Sequence, residues 1–440
     1  MMIPISTWVN RAKAEQAFLV LAFCVILLDW LNGVLWYTFG SSFGLAAAVK
    51  GILLIGIVIL GWPDCRRAFY APLGLMALML LGPVYVSLTS DLPLPWQDVQ
   101  LVAKAGAFLL ALAFFSARAM QDPEAYIRWV NRFVLASYMV LVVNVLFGLA
   151  GFGGTAYQPM DEVAQRFLGI KGFFISTNEL SALLLVLTCW LLTLTWQCKR
   201  WCYPLVSFTS LTMAGLMLTK TGLFGTLLLI VLVPLLLTPR HFYRRHWRAC
   251  MLLLGCGVAL VFGVLMNLTA LLQWVGIYDK LQFAYQQRGI AGIILSSRDY
   301  YLQRNFTAVA EYYPEWLQLF GVGQGGVQWL LKKYFIEIDL FDFLLFYGLA
   351  GVLLYVLTFW RLLLTVLSRL AFTPVAAPVL LLNTLLLLVS LFAGHVLTSG
   401  MLWLPWALIN GAVVAHHAYR LSVMVPVKLV TKDVTDERPA

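Results

Sequence analysis

Apolar residues in this chain run in long blocks and do not alternate. Windows of about 20 mainly apolar residues begin near positions 17, 43, 71, 99, 130 and 173, then near 204, 222, 247, 341, 374 and 400. Such a block, coiled as a helix rising about 1.5 Å per residue, crosses a hydrocarbon layer about 30 Å thick. Inside that layer each backbone N–H and C=O must bond within its own segment, so the blocks predict helices. The stretch 204–238 reads as two short spans joined at Thr219-Lys220-Thr221-Gly222, because a single helix of that length would overshoot the bilayer.

The basic residues between blocks test this count. Arg11 and Lys13; Arg66 and Arg67; Arg118, Arg128 and Arg132; Lys199 and Arg200; Arg240, Arg244, Arg245 and Arg248; Arg361 and Arg369; and Arg420, Lys428 and Lys432 occupy alternate loops. They fall on one side, the cytoplasmic one, only if 204–238 crosses twice. The reading is an all-α polytopic membrane protein of about twelve transmembrane helices, with both termini cytoplasmic and one large outer loop that carries short helices. Residues 1–267 hold helices one to nine, 268–340 form the outer, periplasm-facing loop, and 341–440 hold helices ten to twelve and a cytoplasmic tail, disordered after Val425.

Composition agrees: 62% of residues are hydrophobic and 11% charged, against roughly 25% charged in soluble domains. The bilayer is therefore the first partner. A net charge of +10 reports topology here and not nucleic acid, since the excess cations sit in short loops beside apolar blocks. The first block reads as a retained span and not a cleaved signal. None of the seven cysteines lies within 268–340, so no structural disulfide is expected, and Cys198 and Cys202 lack the further ligands of a zinc site.

The informative cations violate the bias: Lys50, Lys104, Arg166, Lys171, Lys220, Lys280, Arg288, Arg298, Arg304, Lys332 and Lys333 lie on the outer side or in the outer half of spans. Lys50 and Lys104 either snorkel to the interface, pair with Asp29 in the first span, or face a polar cavity that holds an anion. Asn178 and Glu179 stand where capping and function are equally served.

Within the loop, Ser296-Ser297-Arg298-Asp299 predicts a helix start, with Tyr300, Tyr301, Arg304, Phe306 and Val309 following towards Pro314. Gly321-Val322-Gly323-Gln324-Gly325-Gly326 lacks the βαβ context of a dinucleotide fingerprint; it reads as a flexible connection that lets backbone approach a ligand. Glu337-Ile338-Asp339-Leu340-Phe341-Asp342 places acids at the mouth of the tenth span. They serve either the helix dipole or a general base. His395, within Gly394-His395-Val396, is the only histidine expected on the outer face.

These segments resemble the bacterial O-antigen ligase and polymerase superfamily. Leu218-Thr219-Lys220-Thr221-Gly222-Leu223 is similar to that family's Ser-Arg-Thr-Gly turn, with Lys for Arg. Ser297-Arg298, Pro314 and Gly321-Val322-Gly323 are similar to its Ser-Arg to Gly-x-Gly loop, and Glu337 precedes Gly348 and Gly351 where the ligases carry His-Asn. The loop holds no histidine, which departs from the ligases. The acid, with Gly394-His395-Val396, looks more like the Wzy-type polysaccharide polymerases.

The resemblance implies transfer between glycans carried on undecaprenyl pyrophosphate, at the periplasmic face of the inner membrane; Glu337, Asp339 and Asp342 could bind a cation, but their spacing matches no metal motif, so transfer without metal or cofactor is expected. Arg298, Arg288, Lys220, Arg166, Lys104, Lys50 and Arg304 would then bind pyrophosphate. Glu337 is the first candidate for proton acceptor and His395 the second, and Tyr300, Tyr301 and Trp316 would stack on sugars. A chain-length regulator stays open as a partner. The rivals are a ligase moving polysaccharide to lipid A core, and a transporter or flippase with broken midplane helices.

Overall fold

The computed structural model describes residues 5–424, apart from Phe43, 91–92, 94, 157–168 and most of 249–297. Almost all of it is helix. Six helices among the described residues are long and apolar enough to cross a membrane, or up to seven if a bent pair counts as one span. The chain is thus a mostly helical polytopic membrane protein. The block expected near 247 and the tail after Val425 lie outside the described residues.

The bent pair is α1 (Ile5–Phe23) and α2 (Val25–Phe39), which meet at 55°. Next comes α3 (Leu45–Met79), which runs as helix through Arg66 and Arg67, where the sequence predicts a loop. It is not straight. A Cβ on Gly400 would lie 3.2 Å from Lys50 Nζ of α3 and 3.6 Å from Lys104 Cε of α5 (Trp96–Gln121); two residues along α5, Gly106 meets Met76. A straight helix would separate Lys50 from Met76 by about 39 Å, so α3 turns back between them. Pro63 lies in that turn, where it removes a backbone donor and crowds the preceding turn. There Arg11 donates to the Leu60 carbonyl at 3.3 Å and binds Asp64 at 3.2 Å, while Glu15 binds both Arg11 and Arg118. Arg66 and Arg67 therefore sit at the end of the bundle opposite Lys50, on helix and not in a loop.

The chain continues with α4 (Leu81–Thr89) and α6 (Pro123–Leu149), which Asp122 caps by accepting from Ala125 N at 3.0 Å. A short antiparallel pair follows, β1 (Gly154–Thr155) with β2 (Ile170–Gly172). Then come α7 (Thr177–Cys198), α8 (Tyr203–Met217), α9 (Lys220–Leu237) and α10 (Arg240–Arg245). The expected turn between α8 and α9 is present: Leu218 is left-handed at φ 52 and Thr219 Oγ1 accepts from Gly222 N at 3.3 Å. The outer loop supplies α11 (Arg298–Tyr312), α12 (Glu315–Phe320) and α13 (Gly323–Leu330). The fold closes with α14 (Asp339–Leu367), α15 (Ala376–Phe392) and α16 (Trp403–Met424).

Three helices form the centre. Every residue from Leu180 to Thr193 of α7 and from Trp403 to Ala415 of α16 is buried, and α5 is buried along most of its length. Apolar surface alone does not hold helices together in lipid, so small residues and polar bonds carry the association. Gly225 admits Leu185, and Gly411 admits Tyr126, whose hydroxyl donates to the Leu408 carbonyl at 3.1 Å. Asn383 of α15 donates to Asn410 Oδ1 at 2.8 Å and accepts from Trp406 Nε1 at 2.7 Å. These fully satisfied groups lock α15 on α16.

Candidate active site

At one end of the three central helices lies a polar cleft of about 270 Å³, lined by Gln97, Gln100, Leu101 and Lys104 of α5, Glu179 of α7, Gln324 of α13, and Tyr334, Phe335, His395 and Thr398. Glu179 stands in the first turn of α7, capped by Ser176, and its Oε2 accepts from Ser399 Oγ at 2.6 Å. That bond ties α7 to the loop before α16. Lys104 faces the cleft, as one of the sequence readings has it. Lys50 lies across Gly400 from it and pairs with Asp29 at 2.6 Å, the ion pair that the sequence left open.

Beside the cleft stand the other candidates. Arg298, the first residue of α11, reaches Glu337 Oε2 at 3.1 Å, the Phe392 carbonyl at 3.1 Å and the Ala393 carbonyl at 3.3 Å. It therefore caps the C-terminal end of α15 with two charge-assisted bonds and ties that end to Glu337 with a third. Glu337 also holds Lys333 at 3.4 Å. Burial would raise the Glu337 carboxyl, but Lys333, Arg298 and His395 outweigh it and hold the group below the ordinary glutamate value. A carboxylate so held is a weak proton acceptor, and the cleft lining includes His395 and not Glu337. Its Nδ1 lies 3.4 Å from Thr398 Oγ1 and its ring 5.8 Å from that of Phe335.

Backbone strain singles out the same places. The described residues other than glycine with positive φ are Leu218 (52°), Glu337 (66°) and His395 (60°), and each lies in a segment that carries the resemblance. Left-handed backbone costs a non-glycine residue on the order of 1–3 kcal/mol, and persists only where the surroundings enforce it. Gly394 shows the enforcement, since a Cβ there would lie 2.4 Å from the Glu337 carbonyl oxygen. The two loops pack backbone to backbone.

Several expected ligands point elsewhere. Arg304 meets the ring of Tyr301 at 5.0 Å, that of Tyr300 at 5.7 Å, and the Lys333 carbonyl, so it braces α11 against the loop and lines the groove along α11 and not the cleft. Tyr301 has its ring covered also by Lys333 Nζ at 4.1 Å, which leaves that face closed to a sugar. Tyr300 remains on an open groove along α11 with Gln303, Thr307 and Glu311. Trp316 is exposed and packs edge-on against Tyr85 at 5.0 Å, apart from the cleft lining. Lys220 is exposed at the start of α9 and does not line the cleft. Arg166, Lys280, Arg288 and the Ser296-Ser297 cap lie outside the described residues.

The glycine run is corrected most. It is a packing device and not a flexible connection. A Cβ on Gly321 (φ 80) would lie 2.3 Å from the Phe346 carbonyl oxygen, one on Gly82 1.9 Å from the Gly321 oxygen, and one on Gly348 2.0 Å from the Leu319 oxygen. Gly348 kinks α14 to admit the run. Asp98, one of the residues sequence reasoning missed, then accepts from Gln324 N at 2.7 Å, Gly325 N at 3.5 Å and Tyr347 OH at 3.1 Å. Its place in the first turn of a span was the available signal. Gln97, Gln100, Gln324 and Thr398 were also missed, since no local pattern marks an amide or hydroxyl as cleft-lining. Among the described residues, no group of three or more His, Cys, Asp or Glu side chains stands ready to hold a metal ion.

Neither the models of known protein families nor the curated proteins contain a match to this chain.

Proposed function

We propose that this protein is a membrane glycosyltransferase that polymerises oligosaccharide repeat units carried on undecaprenyl pyrophosphate, with its site on the periplasmic face of a bacterial inner membrane. The observation that carries the reading is the polar cleft at the ends of α5, α7 and α16, which sets Lys104 and His395 on one cavity. In this reading the acceptor hydroxyl of one repeat unit lies against His395, which takes its proton as the oxygen attacks the anomeric carbon of the donor. The bond from that carbon to pyrophosphate breaks, and the leaving group carries its charge to Lys104. Gln97, Gln100 and Gln324 offer amides to sugar hydroxyls. Arg298 and Glu337 shape the wall beside His395.

The test is a gel of surface polysaccharide from a strain lacking the gene, complemented with wild type or His395→Ala. A ladder with wild type and a single capping repeat with the variant supports a polymerase. Loss of even the single repeat in the deletion strain points to a ligase, and an unchanged ladder there removes both.

A second reading, a transporter, rests on the 55° break between α1 and α2, with the buried Asp29–Lys50 pair just beyond it. Broken helices beside buried charge suit alternating access. This reading predicts movement of lipid-linked substrate across vesicles by protein that makes no glycosidic bond.

A further inference from the structure

Three buried carboxylates grip the walls of the cleft, each from the first turn of a long helix. Asp98 of α5 holds the N–H groups of Gln324 and Gly325. Asp342 of α14 holds those of Ile336 at 2.8 Å and Glu337 at 3.0 Å. Asp339, one turn earlier on α14, holds three in a row: His395 N at 2.6 Å, Val396 N at 2.9 Å and Leu397 N at 3.0 Å. Ser390 Oγ adds a fourth bond at 3.1 Å and is itself 3.0 Å from Tyr355 OH.

The loop between α15 and α16 explains why Asp339 is needed. The N–H groups of Ala393 and Gly394 still reach the Val389 carbonyl of α15, but those of 395–397 turn to no helix, and the buried ones among them require an acceptor. An ionised carboxylate has about four lone-pair sites, and Asp339 fills that number with three N–H groups and one hydroxyl. Successive N–H groups converge on one anion only when neighbouring residues differ in hand, which matches φ 60 at His395. Without that anion, His395 would relax from its left-handed backbone, and its imidazole would swing off the cleft wall.

We propose that Asp339 is the positioning residue for His395: it touches no substrate, and it holds the 395–397 backbone so that the imidazole faces the cleft. The role of His395 rests on the polymerase reading; the clamp rests on the bonds to Asp339. Asparagine cannot keep the full clamp: with its oxygen in place of Oδ2, its NH2 would face the His395 N–H, which loses its acceptor.

The experiment compares wild type with Asp339→Asn, His395→Ala and the double variant, using purified full-length protein in nanodiscs and a lipid-linked repeat unit. Asp339→Asn is expected to lower kcat on the order of 10²-fold and to leave KM within about threefold. Added to His395→Ala, it should lower kcat no further, since it acts through that residue. A wild-type kcat, or the same fold-loss repeated in the double variant, overturns the assignment.

Amide hydrogen exchange tests the clamp without any reaction. Residues 395–397 should exchange at least about tenfold faster in Asp339→Asn while α5 and α7 keep their protection; unchanged exchange overturns the proposal. If Asp339→Asn does not fold, Ser390→Ala, which removes one bond of four, should speed the same amides by a smaller factor, and no increase there also overturns it. Faster exchange in a protein whose wild type transfers no sugar would keep the clamp and discard the polymerase.

Discussion

Arg298 and Glu337 stand 39 positions apart and meet at 3.1 Å, and the same guanidinium ends helix α15 by binding the Phe392 and Ala393 carbonyls. One side chain thus joins α11, the segment before α14 and the loop that carries His395. Its charge is committed to that junction, with a side chain 12% exposed.

Lysine should not replace it. A guanidinium serves three acceptors from a planar fork, whereas an ammonium is a single point on a flexible stem. Arg298→Lys is expected to lose at least two bonds, destabilise the protein by about 2–3 kcal/mol, and reduce polymer on a gel at least tenfold. Full-length polymer with an unchanged melting temperature would remove Arg298 from the site.

Glu337 sets an acid limit on the same junction. Its folded carboxyl lies below the ordinary glutamate value, so the ion pair contributes stability that is fully present above that value and is lost as pH falls through the lower folded one. Wild type should therefore lose melting temperature below about pH 4.5 more steeply than Glu337→Gln, which has nothing there to protonate. Parallel curves for the two proteins would sink this account.

The Asp29–Lys50 pair makes a prediction by asymmetry. Asp29 is 7% exposed, so Lys50→Met leaves a buried unpaired carboxylate and should cost about 3–5 kcal/mol, while Asp29→Asn combined with Lys50→Met should recover most of it. Thermal unfolding in detergent measures both. A double variant no more stable than Lys50→Met alone would show that the pair is not coupled.

Two glycines separate fold from site. Alanine at Gly321 meets backbone at 2.3 Å with φ 80, so both clash and conformation oppose it, and monodisperse protein should be lost on size-exclusion chromatography. Alanine at Gly400 meets only the flexible ends of Lys50 and Lys104. That variant should fold, with polymer reduced by about tenfold as Lys104 shifts off the cleft. The opposite pattern would reverse the assigned roles.

The helix from Arg298 towards Pro314, the α8–α9 turn, and the outlying charge of Lys50 and Lys104 were legible along the chain. Each depends on residues within one or two turns of each other, where periodicity, capping and charge bias act. The passage through Arg66 and Arg67 was misread as a loop, because two prolines and a basic pair look the same locally whether they end a helix or bend it.

By itself the sequence determined that this is a helical protein of the bilayer, since its apolar blocks are continuous and about 20 residues long, where barrel strands would be shorter and alternate. It also marked which cations are out of place. Only the tertiary structure decided which of them share a cavity: Lys104 with His395 across the ends of α5 and α16, Lys50 on Asp29, Arg304 against Tyr301. It also showed that Asp98, Asp339 and Asp342 hold backbone. The physical reason is that a carboxylate or cation takes its role from its nearest partner, and for Lys50, Lys104, Asp98 and Asp339 that partner comes from another element, tens to hundreds of residues away.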